Sequence, residues 1–342
     1  MNDICRVLEQ IEANGKERLA LATIIRIEGS SYRKAGAKML FWEDGQRYGN
    51  LSSGCLEDDL AIHSLEVIKK NRCKRVIYDL QDEDGLTWGV GCNGKIEVFI
   101  EPLFSNFAIS TLKNYLLSGR NMVTLKSLMT ESPQATYLFT YEGKQVKEGE
   151  KAIFHPYIKK TIQEFIHSFE KIKIVTIEGE DFLLEKNNPK TRLYVFGAGY
   201  DAEPLVKLAS SLDFSVTVID PRESRCNRDF FPTAEKLITE HPSAFFQHHT
   251  INEAAFVVIM NHHFQRDKQI LEELPYDRVD YIGILGSKKR TEKLLNTING
   301  SQKQKIHYPI GLKIHAEGSD EISISIMAEL IQFRHKKWNT VH

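Results

Sequence analysis

What the sequence lacks narrows it first. It has no C-x-x-C pair: Cys5, Cys55, Cys73, Cys92 and Cys226 are odd in number and widely spaced, which excludes a disulfide scaffold or zinc knuckle as the expectation. Any cysteine that matters does so as a single thiol. It has no excess of either charge, 45 basic against 46 acidic residues, so no general field draws it to nucleic acid or to a membrane. No stretch approaches ~18 consecutive apolar residues. The opening Met1-Asn2-Asp3-Ile4-Cys5-Arg6 has neither the basic nor the apolar region of a signal peptide, and a cytoplasmic protein is expected. Repeats and low-complexity tracts are also missing, and 342 residues exceed one ordinary domain, so two are expected.

What is present centres on residues 192–222, RLYVFGAGYDAEPLVKLASSLDFSVTVIDPR, which read as strand, glycine turn, helix and strand. Leu193, Val195 and Phe196 form the short apolar run that a buried parallel strand needs. Residues 197–202, GAGYDA, fit the G-x-G-x-x-G/A turn: Gly197 and Gly199 permit a tight bend and close approach to a pyrophosphate, and Ala202 lets helix pack on strand. The helix start then offers free N–H groups to an anion. Asp220 closes the second strand at the place of a ribose-binding acid, about 20 residues on. A nucleotide-type pocket is one reading; a Rossmann-like domain whose turn binds nothing is the other.

Upstream, Ile4, Val7, Leu8 and Ile11 mark a helix over residues 3–12, followed by strands at 19–28 and 38–42 and a hairpin turn at Asp44-Gly45. The small-residue loop 49–57 opens a helix over 56–70, and a second glycine loop, 85–94, precedes a strand at 95–101. Cys55 and Cys92 sit alike in these loops, each after a glycine, Gly54 or Gly91, and Ser53 adds a further small residue. Such loops expose backbone N–H groups and admit a ligand closely. At a helix start Cys55 would favour thiolate, with Glu57, Asp58 and Asp59 opposing it. A small buried residue in a tight turn is the plainer reading for either cysteine; two in one domain suggest a site. Arg26, Arg33, Lys34 and Lys38 form a local basic cluster, either solvated surface or a phosphate contact. Residues 106–190 read as helix, hairpin, helix and two strands without recognisable chemistry, and the polar segment 186–190 sets domains of 1–188 and 189–342.

Downstream, a third strand of the second domain, 255–260, delivers His262 and His263 to the edge that carries Gly197 and Asp220. Two histidines with no third ligand in view suit hydrogen bonding or loop capping better than a metal. A strand over 279–285 ends in Gly286 and Ser287 followed by Lys288, Lys289 and Arg290, a second cluster suited to phosphate or carboxylate, or to solvent.

Several blocks together resemble the xanthine dehydrogenase accessory proteins of the XdhC/CoxI type. They are Ala22-Thr23-Ile24-Ile25-Arg26 with Glu28-Gly29-Ser30-Ser31, the loop 49–57, Gly91-Cys92-Asn93-Gly94-Lys95-Ile96-Glu97, Phe196-Gly197-Ala198-Gly199, Val218-Ile219-Asp220-Pro221-Arg222, residues 281–287 and Pro309-Ile310-Gly311-Leu312. Ser53, Asn93, Tyr200 and His315 depart from the family's usual Gly, Gly, His and Gly. The resemblance implies an α/β protein: an N-terminal mixed α+β XdhC/CoxI-like domain followed by a C-terminal Rossmann-like parallel sheet. It implies a homodimeric molybdenum cofactor carrier that holds the molybdopterin, or a nucleotide form of it, while a cysteine desulfurase supplies the sulfido ligand. The cofactor then passes to a xanthine dehydrogenase-type apoenzyme. Cys55 and Cys92 become candidate cofactor contacts, with Gly197, Gly199 and Asp220 forming the Rossmann pocket. Beside this carrier stands a second reading, an NAD(P)-dependent oxidoreductase, in which Asp220 favours NAD, Arg222 admits NADP, and His262 or His263 moves a proton.

Overall fold

The computed structural model describes residues 3–14, 18–54, 56–80, 94–103, 107–130, 135–146, 156–296, 300 and 302–340, and the chain forms two compact units, Asn2–Pro189 and Lys190–His342. The first runs α1 (Asp3–Ala13), β1 (Leu19–Gly29), β2 (Lys38–Trp42), β3 (Arg47–Gly49), α2 (Glu57–Lys70), β4 (Lys74–Asp79), β5 (Gly94–Leu103), α3 (Phe107–Leu117), β6 (Met122–Ser127), β7 (Thr136–Thr140), β8 (Gln145–Val146), α4 (Pro156–His167), β9 (Ile172–Ile177) and β10 (Glu180–Asn187). Its strands make two antiparallel sheets, β3-β2-β1-β5-β4 and β8-β7-β6-β10-β9. β1 is buried continuously from Leu19 to Ile25 because it lies centrally and is covered on both faces, hence its unbroken apolar run. α2 lays Leu60, Ser64, Val67 and Ile68 against the first sheet, and Asn71 ends it in the left-handed conformation at φ 53°. Residues 106–190 thus supply a whole second sheet. α4 covers it with Ile158, Ile162, Phe165 and Ile166, the i, i+4, i+7, i+8 stripe of an amphipathic helix, on Val123, Leu125 and Leu184.

Among the described residues three ion pairs join these sheets inside the unit: Lys38 Nζ lies 2.6 Å from Glu185 Oε1, Arg75 Nη2 lies 3.3 Å from Asp181 Oδ2, and Lys126 pairs with Glu101. The basic cluster expected from sequence is therefore not a free anion site. Arg33 is held by Asp3 at 2.6 Å and by the Asn50 carbonyl at 3.0 Å, Lys38 is buried against Glu185, and Arg26 stands 3.9 Å from Glu97. Acids remote in sequence reach three of the four cations.

The second unit runs β11 (Thr191–Phe196), α5 (Ala202–Ser211), β12 (Phe214–Ile219), β13 (Lys236–Ile238), α6 (Pro242–His248), β14 (Ala255–Ile259), α7 (Phe264–Glu273), β15 (Val279–Ile284), α8 (Lys288–Leu295), β16 (Ile306–His307) and α9 (Gly318–Thr340). All six strands are parallel, in the order β13-β12-β11-β14-β15-β16. Alternate side chains of β11 serve opposite cores: Leu193 and Val195 meet α5 and α9, whereas Tyr194 and Phe196 meet α6 and α7. Helices on both faces and a reversal of strand order between β11 and β14 define a doubly wound, Rossmann-like sheet, whose ligand crevice lies at the strands' C-terminal ends. Two edge strands, β13 and β16, escape sequence reading because they are three and two residues long and carry no apolar run. Residues 255–259 are accordingly the unit's fourth strand, not its third.

Candidate functional site

At the second unit's mouth, the glycine turn is shaped first by the chain itself. Gly197 has φ 119°, and a Cβ there would lie 2.7 Å from the Met260 carbonyl oxygen, so glycine is required for β11 to pass the end of β14. A Cβ on Gly199 would lie 2.6 Å from Asp201 Oδ1. The second glycine of the turn thus has a carboxylate beside it. His262 Nε2 donates to Asp201 Oδ2 at 2.8 Å, and His262 holds the left-handed region at φ 53°, uncommon for a residue with a side chain. His263 instead starts α7, its Nδ1 accepting the Arg266 N–H at 3.4 Å.

Asp220 is fully committed. Its Oδ2 accepts the Ala198 N–H at 2.9 Å and Arg222 Nη2 at 2.7 Å; its Oδ1 accepts Arg222 N–H and Nε, both at 2.9 Å. A carboxylate has about four lone-pair directions, and these four donors fill them. Burial by itself would raise the carboxyl, but the bonds from Arg222 and Ala198 outweigh it and hold it below its ordinary value. Arg222 stays half exposed. Next to it, Arg225 Nε donates to the Ala198 carbonyl at 3.0 Å, and its guanidinium pairs with Glu203. The Arg225 Cζ stands 3.9 Å from the Phe230 ring centre and 4.3 Å from that of Tyr200. Tyr200 thus presents a backed ring to solvent, 77% exposed.

At the end of β15, Gly286 has φ 151°, and Ser287 caps α8 by accepting the Arg290 N–H at 3.4 Å. Arg290 pairs with Asp267, whose carboxyl burial raises despite bonds from Asn261 and Arg290. Ser287 thus serves the helix start and Arg290 a buried acid, while Lys288 and Lys289 of the same cluster stay exposed.

In the first unit, the loop before α2 is gathered by Glu57. Its carboxylate accepts the N–H groups of Leu51 at 3.1 Å, Ser52 at 2.8 Å and Leu56 at 3.2 Å, and the Ser52 hydroxyl. Gly54 has φ 120°, and apart from its chain neighbours no atom of the described residues lies within 4 Å of where a Cβ would stand; Ser53 beside it is exposed. Cys55, Gly91 and Cys92 lie outside the described residues. Of the other thiols, Cys5 is buried; burial and then Glu101 push Cys73 up to about 12; burial raises Cys226. None of these three is poised as a nucleophile or metal ligand. Among the described residues no group of three or more His, Cys, Asp or Glu side chains is arranged to hold a metal ion, and no helix is long and apolar enough to cross a membrane.

The structure brings Gly197, Gly199, Asp220, Arg222, His262, Gly286 and Ser287 to one sheet edge, and places Ser53 and Gly54 in the loop of the other unit. Sequence reasoning missed Glu57 as the organiser of that loop, Asp201 as the carboxylate over Gly199, and Arg225 as the support of Tyr200. Only Glu57, in the Gly-Cys-Leu-Glu block, carried a local signal, since an acid at a helix start is also an ordinary dipole partner.

Comparison with known proteins agrees with this geometry. Residues 13–79 match the XdhC and CoxI family, and residues 193–330 match the XdhC Rossmann domain. The chain is 35% identical over 325 residues to a Bacillus subtilis (strain 168) protein named as a probable xanthine dehydrogenase subunit, covering 93% of this chain and 94% of that one. It is 23% identical over 323 residues to the Escherichia coli (strain K12) molybdenum cofactor insertion chaperone PaoD, covering 92% and 83% respectively. A crystal structure described as a xanthine dehydrogenase from Bacillus halodurans superposes with a TM-score of 0.82 at 39% identity, covering 98% of this chain and 96% of that one.

Proposed function

This chain belongs to the XdhC and CoxI family, and on that premise we propose that it is a maturation factor that binds molybdenum cofactor, keeps it during sulfuration and delivers it to a xanthine dehydrogenase-type molybdoenzyme. The observation that carries the reading is likeness along both units to a chain named as a molybdenum cofactor insertion chaperone. The residues present suit the group. A phosphorylated pterin asks for an anion donor, which Arg222 provides at the second unit's mouth. It also asks for a flat surface, which the exposed ring of Tyr200, backed by Arg225, provides at the same mouth. When bound, the group carries the molybdenum centre that the client enzyme will use; the chain's part is to hold, shield and release it.

In the same proposal, a cysteine desulfurase supplies the sulfur, Cys55 and Cys92 contact the cofactor, and the protein works as a homodimer in the cytoplasm. The oxidoreductase alternative is weaker. It relies on Asp220 for the ribose and Gly199 for the pyrophosphate, whereas Asp220 already accepts four donors of the chain and the Asp201 carboxylate stands beside Gly199. Protein purified from a molybdenum-competent host should release a fluorescent pterin identified by mass spectrometry, and the Cys55→Ala/Cys92→Ala double variant should retain less of it. Micromolar NADH binding without any pterin would replace the carrier with the oxidoreductase.

A further inference from the structure

Asp220 has no acceptor direction left for a ribose diol, which would bring two O–H donors to a carboxylate that already takes four. Asp201 likewise fills the approach to Gly199 with negative charge, set against a diphosphate. Arg222 is in the opposite state. Its Nε and Nη2 are fixed by Asp220, its Nη1 is uncommitted among the described residues, and its side chain is half exposed. A guanidinium so held is permanently charged and aimed in advance, the condition under which arginine recognises phosphate well.

We infer that Arg222 is the phosphate-binding residue of this mouth and that the site selects a planar heterocycle bearing a phosphomonoester over one bearing only a free diol. Asp220 is then a positioning residue: it orients the arginine and touches no ligand. Tyr200 supplies the flat surface, its ring kept in place by Arg225, with Phe230 beyond. The ligand class rests on the carrier reading; the preference for phosphate over diol stands on the geometry of Asp220 and Arg222.

Neopterin and neopterin 3′-phosphate test this directly, because both carry a pterin and a vicinal diol and only one carries phosphate. Titrated against the full chain by their own fluorescence, the phosphate ester should bind roughly tenfold tighter or better, the range of one charge-assisted contact. NADH should bind more weakly than the ester. Arg222→Gln should abolish the preference. Since that change strands a buried carboxylate, the Asp220→Asn/Arg222→Gln double variant, checked by thermal melting, serves as the second arm. Tyr200→Ala should weaken both pterins and leave their ratio unchanged. Equal affinity of the two pterins, a ratio that survives in the double variant, or no binding of the ester would overturn the assignment. Pterin that copurifies without any phosphate preference would remove Arg222 and leave the carrier standing; a phosphate preference without copurifying pterin would do the reverse.

Discussion

Four donors reach Asp220 and every one belongs to this chain, so the residue holds the glycine turn to the loop after β12. Asp220→Asn should therefore lower the melting temperature with no ligand present, whereas a purely ribose-binding acid would alter binding alone. The pH dependence has a definite sign. The folded carboxyl lies below its ordinary value of 3.8, so its stabilisation is present above that value and is lost as pH falls through the lowered one. Melting curves should thus show a steeper acid decline in the parent than in Asp220→Asn; parallel declines would contradict it. Glu57→Ala leaves the Leu51 and Ser52 N–H groups without that acceptor, while the Leu56 N–H keeps the Ser52 hydroxyl at 3.2 Å, and should cost about 2–3 kcal/mol in urea unfolding. The sequence put both acids at the right ends of their elements. It could not show which donors reach them, because Arg222 folds back over two residues, while Glu57 reaches back to Leu51 and Ser52 only once the loop has closed.

Elements built on long apolar runs were legible, and elements defined by their neighbours were not. β1, β2, β11, β12, β14 and β15 announce themselves as runs of buried residues. β13 and β16 exist because a longer strand lies beside them, and the second antiparallel sheet was visible only as a hairpin, two strands and helices not yet joined. Gly197 belongs to this scale, since its demand comes from the close approach of the turn after β11 to the backbone just past β14. Gly197→Ala combines φ 119° with a 2.7 Å contact to backbone, and should destabilise by roughly 2 kcal/mol or more, read by chemical unfolding. The buried pair between β2 and β10 makes a second case. Lys38→Met leaves Glu185 buried and unpaired and should cost about 3–5 kcal/mol, whereas Lys38→Met/Glu185→Met should recover most of the loss. A double variant as unstable as the single one would contradict that account.

At the scale of the molecule, blocks spread along both units made the family legible where neither unit alone did: the Rossmann turn by itself pointed equally to a dehydrogenase. The four donors of the chain on Asp220 and the Asp201 carboxylate beside Gly199 then weigh against the dehydrogenase reading. If the protein works as a homodimer, light scattering coupled to size exclusion should give twice the chain mass at micromolar concentration. The carrier role itself is tested most directly by transfer. Protein loaded in a molybdenum-competent host is mixed with a cofactor-free xanthine dehydrogenase-type apoenzyme, the two are separated, and pterin is measured on each by mass spectrometry alongside xanthine oxidation. The account predicts that pterin leaves this chain, appears on the enzyme and brings activity with it; pterin that never loads, or that stays behind while the enzyme remains inactive, would contradict it.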